Sequence, residues 1–324
     1  MSETTDPAVQ LRTMPHEKYH RLIKLAQAQA GIKVAVAHPC DDVSLQSAVE
    51  AARMQLIEPT LVGPADRIHA VAKTAGLDIG ALEIVNSTHS QDSAAKAVEL
   101  VTAGRAEALM KGSLHTDELM EAVVSRQAGI RTGRRISHCF LMDVPNHPHP
   151  LIITDAAVNI APTLDEKVDI VQNAIDLAHA IGLTDVRVAI LSALETVTAK
   201  VPSTIEAAAL CKMADRGQIT GAVLDGPLAL DNAISPEAAA IKMIRSPVAG
   251  RANILVVPDL EAGNMLAKSL SFLAGADAAG IVLGARVPII LTSRADSLLT
   301  RLASCAVAVL VAAARRQSAA AVIR

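Results

Sequence analysis

The chain has 324 residues, 51% of them hydrophobic and 19% charged, with a formal net charge of −3. This near-neutral balance, without a basic stripe, excludes the usual nucleic-acid binder, whose phosphate contacts need clustered Lys and Arg. Four cysteines, at 40, 139, 211 and 305, form no CxxC pair, so small buried thiols in a reducing compartment are expected rather than a disulfide frame or zinc site.

At about 100–200 residues per domain, the length suggests two domains. Aromatic residues are 1% of the chain, so the core must be built from Ala, Val, Ile and Leu. That composition suits parallel strands buried on both faces under Ala-rich helices. The N-terminus, MSETTDPAVQLR, is polar and has no apolar segment of the secretory kind. The longest apolar stretch, 303–314, falls short of the roughly 20 residues of a membrane span. A soluble, cytoplasmic protein is expected, free of membrane and nucleic-acid partners.

In chain order, strands alternate with helices. Strands are predicted at 33–37, 59–63, 83–85 and 108–110, and helices at 44–55, 65–75, 90–103 and 117–125. Alternation of this kind predicts parallel strands joined by right-handed crossovers. Asn146-His147-Pro148-His149-Pro150 interrupts it, because proline removes donors and fixes φ, and this loop is the candidate hinge. A second series follows at 151–154, 186–191, 222–224, 254–257 and 281–282. The strand at 289–291 and the helix after it are assigned back to the first unit. The expected domains are therefore 1–146 plus 285–324, and 147–284.

Ligands of open parallel sheets bind outside the carboxyl ends of the strands, so those ends hold the candidate site residues. They carry Lys111 and Ser113, then Asp155 and Asn159, then Asp225, Asp231 and Asn232. Further on come Asp259, Glu261 and Asn264, and finally Ser293, Arg294 and Asp296. Bland explanations stand beside each. Asn264 could cap a helix over 265–273, and Asp225-Gly226-Pro227 could be an ordinary turn. His147 and His149 are a loop or a metal pair. Lys111-Gly112-Ser113 is too short for a phosphate loop, and no G-x-G-x-x-G occurs.

Ser293-Arg294 resists the bland explanation. An Arg at a helix start opposes the positive end of the dipole, unless an anion shares the site. A guanidinium, helix amides and a serine hydroxyl would then converge on a phosphate. Arg131, Arg134 and Arg135 form a second basic cluster just before a predicted strand, either a solvated face or part of the same anion site.

From about residue 33 to 301 the chain resembles the phosphate acetyltransferase and phosphate butyryltransferase family. The resemblance is carried by LMKGSLHT (109–116), GIRTGRRISHCFLMDVP (129–145), LIITDAAVNIAPTLDEK (151–167), GAVLDGPLALDNAIS (221–235), ILVVPDLEAGNMLAKSL (254–270) and VPIILTSRADS (287–297). It implies a two-domain α/β protein of mostly parallel sheets, helices on both faces, similar to the isocitrate/isopropylmalate dehydrogenase-like fold. The active site would lie in the cleft between the domains. A homodimer is also implied, with reversible transfer of an acetyl, propionyl or butyryl group between coenzyme A and inorganic phosphate. Coenzyme A is then a substrate, and neither a tightly bound cofactor nor a metal is expected.

In that family the Ser-Arg pair stands at the reacting centre, and Ser293 and Arg294 match it. The acetyltransferase branch has an acid seven positions after its Ser. Here that position is Thr300, so the thiol base is not carried over. Asp296 is the first candidate for the base, with Asp259 and Glu261 behind it. Lys111, Ser113, Arg131, Arg134, Asn159, Asp225 and Asn264 are the expected substrate contacts. SRADS, DGPLALDNAIS and RTGRRISH lean to the butyryl side. The alternatives are a metal-requiring nicotinamide-dependent hydroxy-acid dehydrogenase using Asp225, Asp231 and Asp259, an acyltransferase fed by acyl carrier protein, and a non-catalytic coenzyme A- or metabolite-binding relative.

Overall fold

The computed structural model describes residues 16–126, 130–145, 147–293 and 296–322. Its elements run α1 (Glu17–Gln27), β1 (Ile32–Ala37), α2 (Asp42–Arg53), β2 (Ile57–Gly63), α3 (Ala65–Ala75), β3 (Glu83–Asn86), α4 (Ser90–Thr102), β4 (Ala108–Lys111) and α5 (Thr116–Val124). The chain continues through β5 (Ser137–Asp143), β6 (Leu151–Thr154), α6 (Leu164–Ala180), β7 (Arg187–Leu191), α7 (Pro202–Asp215), β8 (Val223–Leu228), α8 (Leu230–Ile234) and α9 (Pro236–Ile241). It ends with β9 (Ile254–Val256), α10 (Leu260–Ala274), β10 (Asp277–Leu283), β11 (Ile289–Ile290) and α11 (Leu298–Val322).

The described strands form one sheet in the order β3-β2-β1-β4-β11-β10-β5-β6-β9-β7-β8. Pairing is parallel from β3 through β11, and parallel again from β6 through β8. Between these blocks β10 is antiparallel to β11 and to β5, and β5 is antiparallel to β6. The sheet is mostly parallel, as expected from sequence, and its antiparallel pairings are confined to β10 and β5 at its centre. The connections β5–β6 and β10–β11 are too short for a crossover, and short connections join antiparallel neighbours. The His147–Pro150 part of the expected hinge therefore joins two paired strands, with Met142 opposite Leu151. His147 Nδ1 bonds the carbonyl of His149 at 2.7 Å; Asn146 lies outside the described residues.

Three local features shape the site. Thr163 and Glu166 make a capping box, each side chain bonding the other's backbone N–H, and start α6 straight after the β6 loop. Asp259 caps α10 by accepting from Ala262 N at 2.8 Å. The helix thus begins before the predicted 265–273, and Asn264 is inside it rather than at its cap. Asp225-Gly226-Pro227 is likewise not a free turn but part of β8.

α1 was not anticipated. Its Tyr19 is buried, donates to Leu141 O at 2.6 Å and accepts from Ala279 N at 2.6 Å, which ties the helix to β5 and β10. α11 contains an apolar stretch, Leu298–Ser318, long enough to cross a membrane by length and composition, longer than the 303–314 stretch picked from sequence. Most of that stretch is buried in the fold, packed among α1, α2, α6 and β10. A helix apolar on all sides is accounted for by such a place.

Candidate active site

A cleft of about 690 Å³ opens where the carboxyl ends of β4 and β11 meet the start of β10 and one face of α10. Lys111, Asn264, Ser293 and Asp296 all line it. Lys111 ends β4 and is only 7% exposed. The following Gly112 is needed because a Cβ there would stand 2.4 Å from Ala37 O. That close approach turns the chain so that Ser113 donates to His38 O at 2.8 Å and accepts from Cys40 N at 3.3 Å. Ser113 thus binds two loops together and does not line the cleft.

The segment after β11 is a tight turn. Asp296 Oδ2 accepts the backbone N–H of Ser293 at 2.6 Å. Burial raises the Asp296 carboxyl above its ordinary range, opposed by the Ser293 N–H, the Arg301 guanidinium and Lys111. Arg301, in the first turns of α11 and 4% exposed, donates to Ser293 O, to Asp296 O at 3.3 Å and to Thr292 Oγ1 at 3.4 Å. Its guanidinium holds the backbone on both sides of residues 294–295. Arg294, expected to grip phosphate, lies outside the described residues.

Sequence reasoning overlooked three groups that line or brace the cleft. Arg301 is one; its signal was a guanidinium just ahead of the long apolar run of α11. Asp277, at the start of β10, is the second. Its Oδ1 accepts from Thr300 Oγ1 at 3.1 Å and its Oδ2 bonds His16 Nδ1. Thr300 in turn accepts from Ser297 Oγ at 3.1 Å. A carboxylate from another strand therefore reaches the side chain at the position where the resemblance expects an acid. His138, on β5, is the third. Its ring meets Phe140 edge-on, with centroids 4.3 Å apart, and both residues line the cleft. Burial pushes the His138 imidazole down to about 4, against the nearby Asp155 carboxylate.

The remaining predicted contacts lie elsewhere. Arg131 makes an isolated bridge with Ala285. Arg134 pairs with Asp176 and donates to Asn173 Oδ1 at 3.4 Å, lining a separate cavity beside Arg315. Asn159 is buried, donating to Ile136 O at 2.9 Å and Asp155 Oδ2 at 2.6 Å while accepting from Arg135 Nε at 2.7 Å. Asp225 sits in β8 at the edge of the sheet and accepts its neighbour Gly226 N. Asp259 caps α10, and Glu261 is exposed in its first turn. Asp231 is paired with Lys242. Among the described residues, no group of three or more His, Cys, Asp and Glu is gathered as a cation would require, so the aspartate cage of a dehydrogenase is not assembled.

The chemistry at hand is a carboxylate with raised proton affinity, a buried lysine and a serine turn at a helix start. Such a set suits proton acceptance beside a bound anion. The profile of the family described as phosphate acetyl/butaryl transferase matches residues 87–309. A phosphate acetyltransferase of Rhizobium meliloti is 68% identical over 299 residues, covering 92% of this chain and 95% of the relative. A phosphate butyryltransferase of Clostridium acetobutylicum is 41% identical, covering 91% and 98% respectively. The crystal structure of a branched-chain phosphotransacylase from Enterococcus faecalis V583 superposes with a TM-score of 0.76 at 31% identity, covering 87% of this chain and 99% of that one. This chain belongs to the phosphate acetyl/butaryl transferase family, and it is an acyltransferase.

Proposed function

We propose that the Ser293–Asp296 cleft is where this enzyme joins its substrates in a ternary complex, with acetyl as the preferred acyl group. The reaction is reversible acyl transfer between coenzyme A and inorganic phosphate. Acetyl is favoured because the relative named acetyltransferase is much nearer in identity than the one named butyryltransferase. The butyryl-like SRADS and DGPLALDNAIS segments make propionyl and butyryl the slower alternatives.

The observation that carries this reading is the half-buried carboxylate of Asp296, bonded to Ser293 N and lining the cleft that Lys111 also lines. In the direction of acyl-coenzyme A, Asp296 accepts the thiol proton. The sulfur electron pair forms the new bond to the acyl carbon, and the carbon–oxygen bond to phosphate breaks with its electrons on the phosphate oxygen. A free thiol has a pKa of about 8.5, so the base has only a modest gap to close near neutral pH. The Ser293 hydroxyl donates to the tetrahedral oxyanion or to sulfur. Arg294 and Lys111 offset charge on the departing phosphate, the fixed electrostatic work that dominates such steps. Coenzyme A comes and goes as a substrate, and no tightly bound cofactor takes part.

We also propose a cytoplasmic homodimer and two domains, 1–146 plus 285–324 and 147–284, on either side of the cleft. Pairing of β11 with β4 supports the return of the last segment to the first domain. The exposed apolar side chains of Ile241, Met243, Phe272 and Leu273 support self-association. The test of function is thiol release from acetyl-, propionyl- and butyryl-coenzyme A, with and without phosphate. Phosphate-dependent release, fastest with acetyl, is expected. Release that ignores phosphate, or none with any of the three, overturns the proposal.

A further inference from the structure

We propose that His138 is a catalytic hydrogen-bond donor of this cleft, presenting the Nε2–H of a neutral imidazole to the carbonyl oxygen of the bound acyl group. This rests on the acyl-transfer chemistry above and names a residue outside its Ser293–Asp296 turn.

Four observations combine. His138 is 1% exposed, yet its ring forms part of the cleft wall. Its Nδ1 is sealed from solvent and has no hydrogen-bond partner among the described residues. Its Nε2 faces Gly280, where an added Cβ would lie 3.0 Å away and also 2.3 Å from Leu291 O. Leu291 N bonds Gly280 O, and Leu291 lines the cleft with His138, so Nε2 lies over bare backbone beside the strand end that leads to Ser293. His138 and Phe140 share one face of β5 by the period of two, and the edge-on contact fixes the ring plane.

The tautomer follows from these contacts. A buried N–H without an acceptor is costlier and rarer than a buried lone pair without a donor. The proton therefore resides on Nε2, and the lone pair is left on the sealed Nδ1. Burial keeps the ring neutral, so it neither repels a cation nor competes with Asp296 for the thiol proton. A neutral imidazole can polarise a carbonyl, and a fixed donor aimed at a developing oxyanion typically contributes about 10²–10³-fold in turnover. Gly280 is what lets this donor reach past β10. No bond to His138 is made or broken, since its proton stays on Nε2 throughout.

The experiment compares His138→Ala and His138→Gln with the parent chain in the acetyl phosphate and coenzyme A assay, with folding checked by thermal melting. The Gln amide returns a neutral N–H at nearly the same reach. His138→Ala is expected to lower kcat about 10²-fold with KM for coenzyme A changed little. His138→Gln is expected to recover at least tenfold of that loss. If Ala does not fold, His138→Asn, one methylene short, takes its place and is expected to be as slow. A folded Ala variant within threefold of the parent overturns the proposal. So does a folded Gln variant no faster than Ala or Asn. In 15N-labelled enzyme the ring signal lost in the Gln variant should report the Nε2–H form from pH 5 to 8, and an Nδ1–H form would contradict the assignment. A parent chain inactive with every acyl phosphate refutes the function instead, which keeps the two failures apart.

Discussion

Asp296 and Ser293 are joined by a 2.6 Å hydrogen bond from the serine's backbone N–H to the aspartate's Oδ2, which closes the turn between β11 and α11. The bond spends an acceptor site of a carboxylate that burial already makes reluctant to ionise. The turn is built around a proton acceptor poised closer to neutrality than an ordinary aspartate, and that is how a base for a thiol is made. Arg301 locks the same turn from behind through backbone carbonyls.

That lock gives a first expectation. Arg301→Gln keeps polarity but leaves the Ser293 and Asp296 carbonyls without their charged donor. Removing a buried, charge-assisted contact of this kind costs about 2–3 kcal/mol, and kcat should fall with it. Chemical denaturation alongside steady-state kinetics checks both. Full stability with full kcat would show that the turn holds without it.

Arg294→Ala should lower turnover about 10²–10³-fold, the typical loss of one fixed contact to developing charge. The effect should fall on the phosphate side, with the apparent affinity for phosphate weakened more than that for coenzyme A. Near-normal turnover would remove Arg294 from the reacting centre.

Asp277 and Thr300 share a 3.1 Å hydrogen bond that ties the start of β10 to the first turn of α11. Asp277→Asn can still accept from Thr300, so stability should change by less than about 1 kcal/mol. Turnover should drop about tenfold or less if Asp277 only steadies the helix start. Thr300→Val should copy the kinetics of Asp277→Asn. A far larger loss in Asp277→Asn than in Thr300→Val would give the carboxylate a direct role in proton transfer.

His138 makes an acid-stability prediction that needs no substrate. Its imidazole titrates near 4 when folded and near 6.5 when unfolded, so between these values the unfolded chain binds the extra proton. Stability should therefore fall as pH drops from about 6.5 towards 4. The full loss is on the order of 3 kcal/mol, at 1.36 kcal/mol per pH unit. His138→Gln should flatten that part of the stability curve. An unchanged slope would mean the ring is not buried neutral.

Much of this arrangement is legible in the sequence, and the rest is hidden for physical reasons. β1, β2, β4 and β6 announce themselves as apolar runs between turns, since both faces of their sheet are covered. The strand-end rule points to Lys111, Ser293 and Asp296, which line the cleft because Lys111 ends β4 and the other two follow β11, its parallel neighbour. It cannot find His138 and Asp277, which lie at the beginnings of β5 and β10 and reach the cleft only because those strands are antiparallel. α1 carries the helical spacing Tyr19, Leu22, Ile23 and Ala26 in a charged segment, a signal masked by its flanking polarity. The start of α10 is obscured by Gly263 and Asn264, which look like breakers until Asp259 is recognised as the cap. Arg134 and Asn159 look like ligand contacts in sequence, but Asp176 and Asp155 are their partners here.

The most direct test of the account is the pH dependence of coenzyme A acylation by acetyl phosphate, measured for the parent chain and for Asp296→Asn. Burial raises the folded carboxyl, so the parent's rate should fall on the acid side with a midpoint above the usual 3.8 of aspartate. The same shift lowers the parent's stability as pH rises through that midpoint, so Asp296→Asn should be no less stable at neutral pH. The variant is expected to be slow, with the acid limb gone and a rate that climbs with the thiol's own ionisation. An acid limb of unchanged midpoint in Asp296→Asn would contradict the assignment of the base.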